Sequence, residues 1–151
     1  KLAQNYLFLT DSSGYDSREE FVLALNGTNF DAVVVDVFHR GRTPFQRRHV
    51  QGMKFKKLGA RRLVLAYMNV GQADSSRYYW KPGWREGSPG FIGSPVLGEP
   101  DNHYVQYWNP AWKKIIAGDT KSYTYGIIAQ KYDGVVIDGV DSYLFFEGDA
   151  R

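Results

Sequence analysis

Tyr132-Asp-Gly-Val-Val-Ile-Asp-Gly-Val-Asp-Ser-Tyr143 is the stretch on which the fold turns. The run Val135-Val136-Ile137 shows no polar alternation, which suits a strand covered on both faces, as in a parallel sheet. It ends in Asp138, and Asp141 and Tyr143 follow within one turn's reach. Side chains alternate along a strand, so Asp138 takes the side of Val136, expected to be the inward one. A carboxylate where a buried strand emerges is costly unless it is paired or used in chemistry. This strand end is therefore the first candidate for a site.

Upstream, the same kind of run recurs. Asn5 to Thr10 reads as a short strand closed by Asp11-Ser-Ser-Gly14. Asp16 with Glu19 forms a capping-box variant for a helix whose apolar face holds Phe21, Val22 and Leu25, and Asn26-Gly27 stops it. Ala32 to Val37 is a second buried strand carrying Asp36 at its end, followed by Phe38 and His39. Thr43-Pro44 predicts an N-cap with proline at the first helical position, and a helix running to about Leu58, with Gly52 in its middle and Gly59 as the stop. Leu63 to Val70 is a third strand, closed by Gly71. Strand, helix, strand, helix, strand with segments this apolar implies a parallel α/β sheet.

Gly71 to His103 shows neither helical nor strand period and is expected to be an ordered lid over one end of the sheet, because Tyr78, Tyr79, Trp80, Trp84 and Phe91 run through it. Tyr104 to Trp108 is read as a fourth strand. Asn109-Pro110 opens a helix with Trp112, Ile115 and Ile116 at helical spacing. After Gly118-Asp119-Thr-Lys121 a second helix carries Tyr123, Ile127 and Ile128. Leu144 to Arg151 reads as the start of a further helix.

The 151 residues, 43% apolar and 16% aromatic, suit one domain, residues 1–151, with a substantial core. No cysteine is present, which excludes disulfides and thiolate metal sites. No apolar segment approaches membrane-spanning length. The chain opens at Lys1-Leu2-Ala3 without an initiator Met or a visible signal peptide, which fits a removed leader. The net charge of +3 conceals a basic block: Arg40, Arg42, Arg47, Arg48, Lys54, Lys56, Lys57, Arg61 and Arg62, uninterrupted by acids. Such a block is either an anionic-polymer patch or a solvated helix face with its flanking loops. The sparse interleaving of aromatics favours the second and argues against nucleic acid as partner.

In parallel α/β folds, ligands bind at the carboxyl ends of the strands. That rule selects Thr10, Asp11, Asp36, Asn69 to Gln72, Trp108, Asp138 and Asp141. Carboxylates beneath aromatic walls suit a sugar, whose apolar faces stack on rings while its hydroxyls bond carboxylates. Bland alternatives stand beside each residue. Asp138 can cap the next helix, Asp36 can be neutralised by Arg40 or Arg42, and the four tryptophans can form a satellite core. Gly134 and Gly139 read as packing features. His39, His49 and His103 lack metal-ligand spacing, and no Gly-rich phosphate loop is present.

Three segments together resemble a known family. Ala66-Tyr-Met-Asn-Val-Gly-Gln-Ala-Asp-Ser-Ser-Arg-Tyr-Tyr-Trp80 is similar to A-Y-M-S-I-G-E-A-E-x-Y-R-Y-Y-W. Tyr107-Trp-Asn-Pro-Ala-Trp112 is similar to Y-W-D-P-x-W, and Tyr132 to Tyr143 is similar to F-D-G-V-Y-L-D-x-x-D-A-Y. The family is that of glycoside-hydrolase-like TIM barrels related to endo-α-1,4-polygalactosaminidases, formerly labelled cysteinyl-tRNA-synthetase-like. The resemblance implies a (β/α)8 barrel, of which this length accommodates about the first five βα units, with a second catalytic Glu expected beyond Arg151. Where the family has Glu after Ile-Gly, this chain has Gln72, an amide without acid–base capacity, and the next acid is the shorter Asp74.

Three functional readings follow. The first is an endo-acting glycoside hydrolase on an α-linked amino-sugar polysaccharide. In it Asp138 and Asp36 are the catalytic carboxylates, and Gln72, Asp74, Arg77, Tyr78, Trp80, Trp108, Asp141 and Tyr143 contact substrate. No cofactor or metal is implied, the partner is a polysaccharide or oligosaccharide, and a secreted monomer is expected. The second is a non-catalytic carbohydrate-binding relative, and the third an anionic-polymer binder using the 40–62 block.

Overall fold

The computed structural model describes residues 3–148. Its strands are β1 (Tyr6–Leu9), β2 (Ala32–Asp36), β3 (Phe38–His39), β4 (Thr43–Pro44), β5 (Leu63–Asn69), β6 (Gln72–Asp74), β7 (Ile92–Val96), β8 (Glu99–Val105) and β9 (Gly134–Asp138). Its helices are α1 (Arg18–Asn26), α2 (Arg47–Met53), α3 (Pro110–Ile116), α4 (Tyr123–Ala129) and α5 (Tyr143–Glu147), with a 3₁₀ turn at Val140–Ser142. The chain divides into two compact units: residues up to Met68 with Gly126–Val136, and Asn69–Tyr125 with residues from Ile137 onward.

The first unit is a mixed α/β layer. The main sheet has the order β1-β2-β5-β9, with β1, β2 and β5 paired in parallel. Register aligns Leu7, Val33 and Val64 in one row and Leu9 with Val35 in the next. These rows pack against Phe21 and Leu25 of α1, Val50 and Met53 of α2, and Phe45. Each large side chain buried there contributes about 1.5–3 kcal/mol by leaving water. Gly52 sits within α2 because a Cβ there would meet Val22 Cγ1 at 2.9 Å; the helix carries the glycine so that α1 can come close. β2 is buried at every position, as an unbroken apolar run at the centre of a sheet should be.

β9 departs from that expectation. It lies at the sheet's edge, and Val135 and Ile137 are 41% and 50% exposed. An apolar run marks a strand, but only neighbours on both sides bury it.

Other expectations are also corrected. The helix predicted from Thr43 is a hairpin, in which β3 and β4 pair antiparallel and Phe45 N–H donates to Val37 O at 3.0 Å. Pro44, lacking an N–H, stands in this two-residue strand instead of opening a helix. Helix α2 begins only at Arg47, where Gln46 N–H donates to His49 Nδ1 at 3.0 Å. α1 is capped by Ser17, whose Oγ accepts from Glu20 N at 3.0 Å, while the Glu20 carboxylate receives Asp16 N–H. The sheet has four strands, fewer than the five units expected, because Tyr104 belongs elsewhere. Residues 149–151 of the predicted last helix lie outside the described residues; α5 covers 143–147.

The basic block is largely consumed inside this unit. Arg62 is buried and donates to Leu25 O, Thr28 O and Phe55 O. Buried Lys54 donates to Lys131 O and Asp133 Oδ1 at 2.7 and 2.8 Å. Lys56 pairs with Asp31, Arg48 with Glu19, and Arg40 with the Ser13 and Tyr15 carbonyls. Arg40, Arg42, Arg47, Arg48, Lys57 and Arg61 of the block nonetheless remain exposed.

The second unit contains the segment expected to be an ordered lid without helical or strand period, and there it forms regular strands. β6, β8 and β7 form an antiparallel sheet in that order. Its core is Ala73, Phe91, Ile92, Val105 and Trp112, with Tyr79, Trp80 and Trp84 packed on it. The tryptophan cluster is thus partly a satellite core, the bland alternative. α3 begins as expected, with Asn109 Oδ1 accepting from Ala111 N at 2.9 Å and Pro110 at the first position.

Candidate functional site

Two turns in the second unit lock together at strand carboxyl ends. Asn69 ends β5, and its Oδ1 accepts from Gly71 N at 3.1 Å and Gln72 N at 2.9 Å. This is an Asx turn, which Asn-x-Gly sequences favour. Facing it, Val70 N donates to Asp138 O at 2.9 Å. Gly139 follows with φ +74°, a left-handed conformation, and Asp138 Oδ1 accepts its N–H at 2.8 Å. A Cβ on Gly71 would lie 2.1 Å from Gly139 O and 2.4 Å from Ser142 Oγ. Neither glycine can carry a side chain without displacing the other turn. Ser142 is buried, and its hydroxyl has no hydrogen-bond partner among the described residues.

The arrangement fixes the backbone around Asp138 while leaving its side chain exposed. The expected burial of this carboxylate is therefore corrected: its N–H partner is its own successor in the turn. Asp141 is exposed in the 3₁₀ turn that follows. Tyr143, 41% exposed, opens α5 and lines a cleft of about 630 Å3 with Gly71, Tyr107, Trp112, Gly139 and Val140. Trp112 is held there by its indole N–H, which donates to Val70 O at 2.8 Å.

α5 also carries an aromatic shelf. Phe145 stacks on Tyr104 at 4.1 Å with the rings 8° from parallel, and Phe146 meets Trp108 edge-on at 4.8 Å. Trp108 is 46% exposed. Gln72 stands opposite Tyr104 across β6 and β8, and its Oε1 accepts from Asn69 Nδ2 at 3.2 Å.

The rest of the predicted set is dispersed. Asp74 Oδ1 accepts from Ser76 N at 2.7 Å, and its other oxygen faces Arg77 Nε at 3.9 Å, so the two residues close their own turn. Trp80 packs against His103 and Trp84. Tyr78 lies against Tyr79 and Tyr123, and burial together with the Asp119 charge raises its pKa. Tyr79 accepts from Asp74 N, and burial raises its pKa strongly. In the first unit, Asp36 is buried at the end of β2 and its Oδ1 accepts from Phe38 N at 3.0 Å. Burial and then the Asp36 charge push up the hydroxyl of Tyr132, which has no hydrogen-bond partner among the described residues. Among the described residues no three His, Asp or Glu gather as a metal-binding group, and no helix is long and apolar enough to cross a membrane.

Sequence reading missed Tyr107, Ser142, Phe145 and Phe146 as parts of this region. The Tyr-Trp-Asn-Pro and Tyr-Leu-Phe-Phe clusters were the available signals.

No family model matches the chain. It is 34% identical over 120 residues to an uncharacterized protein of Deinococcus radiodurans, covering 80% of this chain and 36% of that protein. With an uncharacterized protein of Methanocaldococcus jannaschii it shares 32% identity over 119 residues, 79% of this chain and 33% of the relative. The chain thus spans roughly a third of the length of these curated relatives. Among solved structures it is similar to the glycoside hydrolase domain of PelA from Pseudomonas aeruginosa, with a TM-score of 0.58 and 17% identity over 94% of this chain and 47% of that one. It is also similar to a noncanonic maltogenic alpha-amylase, AmyB from Thermotoga neapolitana, with a TM-score of 0.52 and 14% identity over 97% of this chain and 42% of that one. At these identities the likeness is one of fold. The mixed α/β chain has the fold of rather less than half of each of those chains.

Proposed function

We propose that this chain is part of a (β/α)8-barrel glycoside hydrolase acting on an α-linked amino-sugar polysaccharide, with Asp138 as a catalytic carboxylate. The observation that carries the reading is the interlocked pair of turns. It holds Asp138 rigidly yet exposed at a strand's carboxyl end, five residues before the helix that presents the aromatic shelf. A reacting carboxylate needs a fixed backbone and open access to the glycosidic oxygen, and a sugar ring needs an apolar surface beside it. Asp141 is a hydroxyl partner in the proposal. On this reading the protein acts outside the cell, as a monomer.

The test is Asp138→Asn, assayed by release of reducing ends from an α-1,4-linked galactosamine polymer. A loss of about 10²–10⁴-fold with unchanged circular dichroism is expected for a general acid or base. Unchanged turnover would remove Asp138 from the mechanism.

A second reading has its own observation. Gln72, which cannot ionise, has its amide oxygen engaged by Asn69 Nδ2. A non-catalytic carbohydrate-binding protein would tolerate that amide. It would bind oligosaccharide with a change in Trp108 fluorescence and release no reducing ends.

A further inference from the structure

A second cleft in the same unit, of about 640 Å3, shares no lining residue with the one at Gly139. Its walls include Tyr78 and Trp84, both half-buried, and its rim bears Lys81, Lys114, Lys121 and Asp119. Its volume is within the range of small-ligand sites, about 300–1,000 Å3. Three ammonium groups against one carboxylate leave this rim positive, although from residue 71 onward the chain is slightly acidic.

The single acid is partly engaged. Asp119 Oδ1 accepts from Lys121 N at 2.7 Å, and Oδ2 lies 4.0 Å from Lys114 Nζ. Lys81 Nζ stands 6.0 Å from the centre of the Trp84 ring, a cation–π arrangement that keeps the ammonium over the aromatic wall. Among the described residues no carboxylate pairs with Lys81 or Lys121 in an ion pair. Rings that stack on apolar sugar faces, surrounded by cations, match one ligand chemistry: a pyranose bearing carboxylates.

We propose that this cleft is an accessory binding site for an acidic oligosaccharide, a chain of uronate residues, separate from the cleft at Gly139. The choice of a sugar rests on the carbohydrate reading above. The preference for negative charge rests on the rim alone. The lysines bind carboxylates and Trp84 with Tyr78 carries the rings, so the site selects a charged glycan without cleaving it.

The experiment titrates the chain with linear trigalacturonate and, in parallel, with neutral maltotriose, following intrinsic tryptophan fluorescence and calorimetry. Trigalacturonate is expected to bind more tightly than maltotriose, and its affinity should fall severalfold between about 20 mM and 300 mM salt, as a charge-driven contact must. The exposed pair of changes Lys81→Gln and Lys114→Gln should weaken trigalacturonate by about fivefold or more and leave maltotriose unchanged. Asp138→Asn should leave this binding intact, so failure of the catalytic reading and failure of the accessory site give different results. Equal affinity for both trisaccharides, absence of trigalacturonate binding, or indifference to the lysine changes would overturn the proposal.

Discussion

Any side chain on Gly139 would collide with Asn69: a Cβ would come within 2.1 Å of the Asn69 Oδ1, the atom that closes the Gly71–Gln72 turn. The same glycine has φ +74°, so an L-residue there meets steric cost in its own backbone as well.

Gly139→Ala should therefore destabilise the second unit by about 3 kcal/mol, the sum of a left-handed penalty and an overpacking term. Gly59, with φ +82° but nothing within 4 Å of its Cβ position, supplies the control. Gly59→Ala should cost about 1–2 kcal/mol, the backbone term alone. Chemical denaturation of the two variants measures the difference, and equal losses would mean that the turns do not interlock as described.

Lys54 and Asp133 are not interchangeable targets. The Lys54 side chain is 7% exposed and that of Asp133 27%. Removing the acid strands a buried ammonium and also frees Val64 N–H, which donates to Asp133 Oδ2 at 2.9 Å. Asp133→Ala should cost about 3 kcal/mol, at the lower end for a broken buried pair because Asp133 is partly solvated. Lys54→Met, which replaces the charge with an apolar chain of similar length, should cost clearly less. Thermal melts followed by far-UV circular dichroism test the asymmetry.

Acid should loosen the first unit through Glu19 and Asp31. The hydrogen bond from His49 holds the Glu19 carboxyl below its ordinary range, and Lys56 does the same for Asp31. Both folded-state values are depressed, so the stabilisation is complete above the unfolded values, near pH 4, and is lost as pH falls through the lower folded ones. Glu19→Gln should flatten the pH dependence of stability below about pH 4.3 and leave it unchanged at pH 7 and above. A variant with the wild-type acid slope would remove Glu19 from the account.

The sequence disclosed most of the main sheet because hydrophobicity alone places strands such as Val33–Val35 and Leu63–Met68. It disclosed α3 through Asn109-Pro110, where cap and first-turn chemistry coincide. Thr43-Pro44 misled because the same two residues serve a hairpin strand as readily as a helix start; only pairing with Phe38–His39 decides. β7 and all of β8 before Tyr104 were invisible because Ile92–Val96 and residues 99–103 are rich in Gly, Pro and polar residues. Pro95 is tolerated where β7 forms the edge of its sheet. Of the candidate site, Asp138 and Trp108 were legible as residue types. The engagement of Asp74 by Arg77 was not, since a turn's internal pairing depends on distances that spacing does not fix. The exposure of Val135 and Ile137 follows from edge position, which a strand's own composition cannot report.

The separateness of the two cores has a practical consequence for every measurement above. Trp80, Trp84, Trp108 and Trp112 all belong to the second unit, and the first holds none. Intrinsic tryptophan emission is thus a selective reporter: it follows the fate of the antiparallel sheet and the interlocked turns. It is expected to respond weakly to unfolding around Phe21, Val50 and Met53. Far-UV dichroism sums both units. Where the two signals melt together, the protein behaves as one cooperative body. Where they part, a single midpoint describes neither unit, and each variant must be assigned to the spectrum that sees it.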